Sequence, residues 1–246
     1  MKSRRFLVEP GSLSMGAEPG TELSLAPDEA AHAAKVLRLK PGDGVTLLDG
    51  AGVIARAEIT SLDKRSVTCR VLEIETPARS APKLVVCPGL AKNPAMDLIA
   101  QKLTELMVDE VRPFISSRSV PKLKDPEARV QRWLKLSRQA LKQCGAAWPP
   151  EWSAPLELSQ ILAQPPRHAL KLMLYEDARD APSLAQALDK RQESSEVWVL
   201  VGPEGGFSRE EAEAAQTAGW TICSLPGAIL RAETAALAAA AVIRFG

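Results

Sequence analysis

The sequence predicts an α/β protein with two domains, a small β-rich domain at residues 1–76 and a larger domain at residues 83–246. Three observations support this prediction. Runs that alternate apolar and polar residues fill the first part, residues 77–82 carry two prolines among small residues, and strongly apolar runs then alternate with helical periodicity. Strands that are apolar almost throughout are buried on both faces, so the larger domain is expected to be a parallel sheet with helices on both faces.

The smaller domain has the pattern of a small barrel. Residues 53–60 and 66–74 alternate apolar and polar positions on either side of a turn, which is typical of a β-hairpin. Pro41-Gly42 is a helix stop signal, so the preceding helix is expected to end there. Small barrels of this kind often bind nucleic acid on a strand face. Strands are predicted at 6–8, 43–48, 53–60 and 66–74, and a helix at 27–39.

The larger domain is predicted to alternate strands and helices. Its last helix is apolar on nearly every side from Ala235 to Ile243. A helix of that composition is buried all round, either in the core of one chain or against a second copy. Strands are predicted at 83–87, 111–115, 170–175, 197–201 and 220–224, and helices at 94–108, 126–143, 208–218 and 231–245.

Composition excludes several classes of protein. The net charge is +1, with 46% hydrophobic and 25% charged residues, which is ordinary for a globular protein. The four cysteines lie far apart and there are only two histidines, so no zinc site is expected. Dispersed cysteines suit the reducing cytoplasm. No segment approaches eighteen apolar residues, so no membrane span is expected.

A glycine-rich turn at 202–208 separates a predicted buried strand from a helix. Ligands of open α/β sheets bind at the carboxyl ends of strands, and glycine lets a ligand approach the backbone closely. Ser208 and Glu211 have the spacing of a capping box, which starts the helix. The turn is neither a Walker A loop nor a Gly-x-Gly-x-x-Gly motif. The acidic side chain of Glu204 favours a ligand with hydroxyls or positive charge. The alternative is that residues 202–208 form an ordinary strand–helix turn without a ligand.

A second turn, at 225–235, again follows a predicted strand and opens a helix. Pro226-Gly227 is expected to place Arg231 and Glu233 at the helix entrance. The alternative is an ordinary helix start, because an acidic residue is favourable at a helix N-terminus in any case.

The two turns together carry a resemblance to a known family. Gly-Pro-Glu-Gly-Gly-Phe-Ser at 202–208 and Ile-Leu-Arg-Ala-Glu-Thr-Ala at 229–235 are similar to the SPOUT class of methyltransferases. More closely, they resemble the bacterial 16S ribosomal RNA (uracil-N3) methyltransferase family. Other segments extend the resemblance over almost the whole chain. Those of the PUA-like RNA-binding domain are 5–8, 32–38 and 41–43, and those of the catalytic domain are Lys92, Met96, 101–106, 143–145 and 175–176.

The resemblance implies a fold, a cofactor and partners. It implies a trefoil knot in the parallel sheet, a PUA-like β-barrel at the N-terminus and a homodimer. It also implies S-adenosylmethionine as cofactor, no metal, and 16S ribosomal RNA within the 30S subunit as cytoplasmic substrate. Arg231 would stabilise the uracil anion, and Glu233 would orient Arg231 or accept the proton from uracil N3. The implied cofactor-binding residues are Leu200, Val201, Gly202, Glu204, Gly205, Leu225, Pro226, Gly227, Ile229, Leu230, Ala232 and Thr234.

Basic residues are concentrated between residues 112 and 142, where nine Lys or Arg face two acidic residues. Such a stripe attracts phosphates and gives salt-dependent binding, although a solvated helix face is the alternative. Trp133 lies within it. The residues predicted to bind RNA are Arg4, Arg5, Lys35, Arg38, Lys92, Arg118, Lys122 and Lys124.

The chain departs from the family pattern at four positions. Pro226 and Ala228 stand where the family has Gly and Arg, and Lys142 and Ala146 stand where it has Glu and Arg. Two alternatives therefore stay open. One is a knotted methyltransferase acting on another RNA, at a ribose 2′-hydroxyl or a tRNA base. The other is an RNA-binding ribosome assembly factor without catalysis.

Overall fold

The computed structural model describes residues 4–63, 66–119, 125–178, 180–189 and 194–246. Its contacts divide the chain into two compact units. The first unit is Met1–Ala78 with Arg138–Pro149, and the second is Arg79–Ser137 with Pro150–Gly246. The sequence predicted an uninterrupted second domain from residue 83, whereas the segment Arg138–Pro149 has its contacts in the first unit.

The first unit contains a five-stranded sheet in the order β1-β3-β4-β5-β2. β1 runs parallel to β3, and the other pairs are antiparallel. The predicted hairpin is confirmed as β4 and β5. Alternate side chains from all five strands share one core, which includes Phe6, Leu23, Leu47, Ile59 and Val71. The strands are β1 Arg5–Leu7, β2 Glu22–Ser24, β3 Gly44–Leu48, β4 Ile54–Leu62 and β5 Val67–Glu75.

The helix predicted at 27–39 is shorter than expected. Helix α1 spans Pro27–Ala31 and continues as a π-helical turn over His32–Val36. Arg38 then adopts a φ of +52°, a left-handed conformation in which an α-helix does not continue. The helix therefore ends before Leu39, and the Pro41-Gly42 stop signal lies beyond it.

The second unit contains a six-stranded sheet in the order β13-β11-β12-β6-β7-β9, and every pair in it is parallel. The parallel sheet predicted for this part of the chain is confirmed. Strands β8 and β10 form a separate parallel pair. The strands are β6 Lys83–Pro88, β7 Glu110–Val111, β8 Phe114–Ile115, β9 Glu151–Trp152, β10 Leu156–Glu157, β11 Leu170–Leu174, β12 Glu196–Val201 and β13 Thr221–Cys223.

The prediction of a single strand at 111–115 is wrong. The structure has β7 and β8 there, and they belong to different sheets. Pro113 lies between them, and proline has no backbone N–H to donate to a neighbouring strand. The chain therefore leaves the large sheet at Arg112 and pairs again with β10.

Helices cover both faces of the large sheet. On β12, Val197 and Val199 lie in a core with residues of α2, α5 and α7, whereas Trp198 and Leu200 lie in a second core with α4 and α6. Alternation of side chains along a strand produces this division. The helices are α2 Asn93–Glu105, α3 Pro126–Cys144, α4 Leu158–Leu162, α5 Leu184–Leu188, α6 Arg209–Thr217 and α7 Ala232–Phe245.

Several cations of the basic stripe are bound to carboxylates. Arg112 Nε donates to Glu110 at 2.7 Å. Arg132 makes two hydrogen bonds to Asp97, at 2.6 and 2.8 Å. These arginines neutralise local acidic groups, so the stripe offers fewer cations to RNA than the sequence count indicates.

Trp133, the aromatic residue within the stripe, belongs to the core. It is 1% exposed and packs against Trp152, with ring centroids 4.9 Å apart and the ring planes tilted by 34°. The Trp152 indole N–H also donates to the Ser137 hydroxyl at 3.1 Å. A buried ring cannot stack on a nucleic-acid base, so Trp133 has a structural role in α3.

We expect Trp133→Ala to lower the free energy of unfolding by about 3–5 kcal/mol, the usual range for removing a buried tryptophan. The loss combines the transfer free energy of the removed indole with the cost of the cavity that it leaves. Trp152 also loses the ring against which it packs. Urea denaturation followed by circular dichroism measures it. Trp133→Phe keeps an aromatic ring and should lose less. An unchanged urea midpoint for Trp133→Ala would contradict the core assignment.

The four cysteines form no disulfide in the part of the chain that the structure describes. All four are free thiols, and burial raises the pKa of Cys69 to about 11 and that of Cys223 to about 12. Among the described residues, no group of three or more His, Cys, Asp or Glu is placed to hold a metal ion. No helix within these residues is both long and apolar enough to cross a bilayer.

Candidate active site

A cavity of about 680 Å³ lies at the carboxyl edge of the large sheet. Strands β6, β11, β12 and β13 all end toward it, because parallel strands have their carboxyl ends at one edge. A volume of this size is typical of sites for small molecules. The walls are 201–204 and Gly206 at the end of β12 and beyond it, 224–225 and 227–233 with Ala235 after β13, 174–176 at the end of β11, and Lys92, Pro94 and Ala95 at the start of α2.

The first wall is the glycine-rich turn between β12 and α6. Ser208 is the N-cap of α6, and its hydroxyl accepts a hydrogen bond from the Glu211 backbone N–H at 3.2 Å. The Glu211 carboxylate in turn accepts from the Ser208 backbone N–H at 2.8 Å. The predicted capping box is confirmed, and it fixes where the turn ends.

Two features favour glycine at position 206, the left-handed backbone and the nearby side chain of Glu176. Its φ of +66° is left-handed, and a Cβ at this position would collide with the carboxylate of Glu176. Glu176 follows β11, so its carboxylate packs directly on the backbone of the turn. The absence of a side chain at Gly206 therefore leaves room for the Glu176 carboxylate against the turn.

The second wall runs from Ser224 to the first turn of α7. Arg231 is the N-cap of this helix and Glu233 lies in its first turn, as the sequence predicted. Arg231 is exposed and lines the cavity. Ile229 is 89% exposed, so this wall presents an apolar side chain at the mouth of the cavity. Its residues are therefore available to a bound molecule.

The cavity walls carry both signs of charge. Three carboxylates and two cations line them: Glu176, Glu204, Glu233, Lys92 and Arg231. Glu204 accepts a hydrogen bond from the Lys92 backbone N–H at 3.2 Å, which joins the glycine-rich turn to the start of α2. Acidic walls of this kind suit hydroxyl groups and positive charge better than phosphate.

Tyr175 adds a neutral hydrogen-bonding group to the wall after β11. Burial and the neighbouring carboxylate of Asp177 raise the pKa of its hydroxyl. The phenol therefore keeps its proton at neutral pH and is able to donate a hydrogen bond.

Most residues that the sequence assigned to the cofactor lie together in the cavity walls. Leu200 is in the core, on the sheet face covered by α4 and α6. Gly205, Pro226 and Thr234 are exposed and adjoin wall residues in the chain without lining the cavity. The predicted residues in the walls are Val201, Gly202, Glu204, Leu225, Gly227, Ile229, Leu230, Ala232, Arg231 and Glu233.

Sequence reasoning did not assign some wall residues to a site. They include Pro94 and Ala95 on α2, and Tyr175 and Glu176 after β11. The signal for the last two was present, because 170–175 was predicted as a buried parallel strand. The residue that follows such a strand lies at the same edge as the glycine-rich turn.

The predicted RNA-binding residues of the first unit differ in their contacts. Arg4 pairs with Asp43 at 3.1 Å. Arg5 donates to the backbone carbonyls of residues 142 and 143, at 3.2 and 2.7 Å, and so supports the fold. Lys35 and Arg38 are exposed on and just after the π-helical turn. Lys142, one of the departures from the family pattern, is bound to Glu29 at 2.7 Å.

In the second unit, Lys92 lines the cavity and Arg118 is exposed beside it. The Arg118 guanidinium donates to the Gly205 carbonyl at 3.2 Å. Ala228, another departure from the family pattern, is an exposed wall residue. Lys122 and Lys124 lie outside the described residues.

Comparisons with known proteins agree with this arrangement. The RNA methyltransferase domain model matches residues 79–244, and the RNA methyltransferase PUA domain model matches residues 25–72. Ribosomal RNA small subunit methyltransferase E of Bacillus subtilis (strain 168) is 29% identical over 234 residues, 93% of this chain and 91% of that protein.

Two solved structures are similar over nearly the whole chain. One is a ribosomal RNA small subunit methyltransferase E from Neisseria gonorrhoeae bound to S-adenosylmethionine, with a TM-score of 0.84, 28% identity, and coverage of 98% of this chain and 96% of that one. The other is a Legionella pneumophila protein in complex with the same cofactor, with a TM-score of 0.84, 30% identity, and coverage of 99% and 97%. Since the domain model matches well over half of its residues, this chain belongs to the RNA methyltransferase family.

Proposed function

We propose that this protein transfers a methyl group from S-adenosylmethionine to N3 of a uridine in 16S ribosomal RNA. The observation that carries the proposal is that the two turns singled out in the sequence line one cavity at the carboxyl edge of the parallel sheet. This is where α/β proteins bind their ligands. The resemblance of both turns to the uracil-N3 methyltransferases supports the choice of reaction.

The cavity fits S-adenosylmethionine in size and in chemistry. Gly202 and Gly206 bring backbone to the cavity wall without a side chain in between. Glu204 and Glu176 supply carboxylate acceptors for hydroxyl or amino groups and attract positive charge. When bound, the cofactor supplies an electrophilic methyl group on its sulfonium. Apolar surface from Leu225 and Ile229 suits the adenine ring.

The chain's own residues have to prepare the uracil. N3 is not nucleophilic while it carries its proton, so the site has to remove the proton and stabilise the resulting anion. Arg231 is one of two exposed cations in the cavity walls and is assigned to stabilise charge on the uracil oxygens. Glu233, two residues later in the same wall, is assigned to orient Arg231 or accept the proton. Holding cofactor and uracil in one cavity favours reaction through proximity.

The proposal extends to the trefoil knot and the homodimer of the SPOUT class. Knots are rare, and here the expectation rests on the resemblance of the two turn motifs. A second copy of the chain would cover apolar surface around α7. Leu98 on α2 is 38% exposed, Met107 is 41% exposed and Phe245 is 64% exposed. Leu237 and Val242 of α7 are only half-buried.

The RNA partner is proposed to be 16S ribosomal RNA in the 30S subunit, methylated in the cytoplasm. The PUA domain match in the first unit supports RNA binding by that unit. Lys35 and Arg38 there, and Lys92 and Arg118 in the second unit, are exposed cations assigned to phosphate contacts.

The test is methyl transfer from radiolabelled S-adenosylmethionine to 30S subunits that lack modification, followed by mass spectrometry of the nucleosides. We expect 3-methyluridine in 16S ribosomal RNA. A methylated ribose, or label in tRNA only, would show a related methyltransferase with another target. Absence of both transfer and calorimetric cofactor binding would instead support a non-catalytic assembly factor.

A further inference from the structure

The segment 114–119 contacts the glycine-rich turn and the start of α6. It begins with β8, whose first residue is bridged to the end of β6. The Leu90 backbone N–H donates to the Phe114 carbonyl at 2.7 Å, and Phe114 also forms an isolated bridge with Gly89. The segment is therefore anchored to the sheet before it reaches the turn.

A pair of buried rings makes the first contact with the turn. Phe114 stacks on Phe207 with ring centroids 5.7 Å apart and an angle of 10° between the ring planes. Both side chains are at most 1% exposed. Phe207 is the last residue before the N-cap of α6, so this stack holds the end of the turn in the core.

Glu211 makes the second contact with a single carboxylate. One oxygen accepts from the Ser117 backbone N–H at 2.8 Å. The other accepts from the Ser208 backbone N–H at 2.8 Å and faces the Ser116 hydroxyl at 3.3 Å. The group that caps α6 therefore also binds the segment 114–119.

The Glu211 carboxylate is charged at neutral pH. Burial by itself would raise its pKa, but the hydrogen bonds from Ser208, Ser117 and Ser116 outweigh burial, and the pKa lies below its ordinary value. Hydrogen bonds to an ionised acceptor are stronger than those between neutral groups. The connection between the segment and the turn is thus a charge-assisted one.

Arg118 makes the third contact, at the glycine next to the cavity. Its guanidinium donates to the Gly205 carbonyl at 3.2 Å, and a Cβ on Gly205 would lie 3.0 Å from the Arg118 Cβ. Backbone of the segment and backbone of the turn thus touch, and the absence of a side chain at Gly205 permits this approach.

We propose that Glu211 is a positioning residue that holds the glycine-rich turn in its binding conformation by joining it to the segment 114–119. This inference rests on the proposed function, because it concerns cofactor affinity. A turn that is held on one side only would spend part of its time in other conformations. The apparent dissociation constant rises as the binding-competent fraction falls, whereas the reaction of the occupied site does not change.

Glu211→Gln tests the proposal directly. An amide has one oxygen where the carboxylate has two, so either Ser117 or Ser208 loses its acceptor. We expect the calorimetric Kd for S-adenosylmethionine and the KM for it to rise about tenfold, the effect of losing one hydrogen bond to a charged group. At saturating cofactor, kcat should stay close to that of the wild type.

Hydrogen exchange of the wild type provides a measurement that needs no variant. Because coupling between two sites is reciprocal, cofactor binding should slow exchange of the Ser117 amide. In Glu211→Gln this protection should be lost. Unchanged Ser117 exchange in the wild type upon cofactor binding would overturn the proposal.

Glu213→Gln is the matched control. Glu213 lies on the same helix, where its carboxylate accepts from the Arg209 guanidinium at 2.9 Å, and it does not line the cavity. We expect an unchanged Kd for this variant. An equal rise in Kd for both variants would assign the effect to the loss of a negative charge on α6 and overturn the positioning role. If the wild type bound no S-adenosylmethionine, the proposed function itself would fail. If the wild type bound it and Glu211→Gln bound it with the same Kd, only the positioning role would be refuted.

Discussion

Arg231→Ala is expected to lower kcat for methyl transfer by about 10²–10³-fold, the usual effect of removing one group that stabilises developing negative charge. Arg231 is exposed at the cavity wall as the N-cap of α7, and among the described residues its side chain makes no hydrogen bond that caps the helix. Loss of its guanidinium should therefore leave the cofactor pocket intact. Single-turnover transfer to 30S subunits measures the rate, and calorimetry measures cofactor binding.

Arg209→Ala is a suitable control for this variant. Arg209 is an exposed arginine on α6 whose side chain pairs with Glu213 and does not line the cavity. Its removal changes the net charge by the same amount and should leave kcat unchanged. Equal losses in both variants would point to general electrostatic attraction of RNA, and a fully active Arg231→Ala would exclude Arg231 from the mechanism.

The sequence predicted the long elements because their patterns are strong. The five strands from β3 to β6 and β12 have clear alternation or continuous burial, and the capping box at Ser208 marks the start of α6. The short elements β2, β9 and α4 were not predicted, because their few positions show no clear period. Their structure depends on neighbours that are distant in the chain.

The candidate site was predictable where chemistry is local in the sequence. The turns at 202–208 and 225–235 carry glycines and charged residues within a few positions, so both were found. Glu176 was not assigned to the site, because its role depends on β11 lying beside β12 in the sheet. Strand order is a tertiary property, and a single sequence does not display it. Arg5 is the opposite case. The sequence assigned it to RNA, but its guanidinium donates to backbone carbonyls of the protein itself.

Gly20→Ala is the control for Gly206→Ala, the substitution of a glycine in the cavity wall. Gly20 has a φ of +100° and no atom within 4 Å of the position of a Cβ, and it lies in the first unit. Alanine there introduces backbone strain without a collision. We expect a modest loss of stability, about 1–2 kcal/mol for a left-handed alanine, and cofactor affinity equal to that of the wild type.

Gly206→Ala is expected to weaken S-adenosylmethionine binding by at least about tenfold. Alanine at a φ of +66° is strained, and its Cβ collides with the Glu176 carboxylate, which lines the cavity. The free protein relieves the collision by displacing Glu176 and the strain by moving the turn, and binding has to reverse both movements. Calorimetry of the two alanine variants measures the difference. If Gly206→Ala bound the cofactor as tightly as Gly20→Ala, the close approach of β11 and the glycine-rich turn would have no part in forming the pocket.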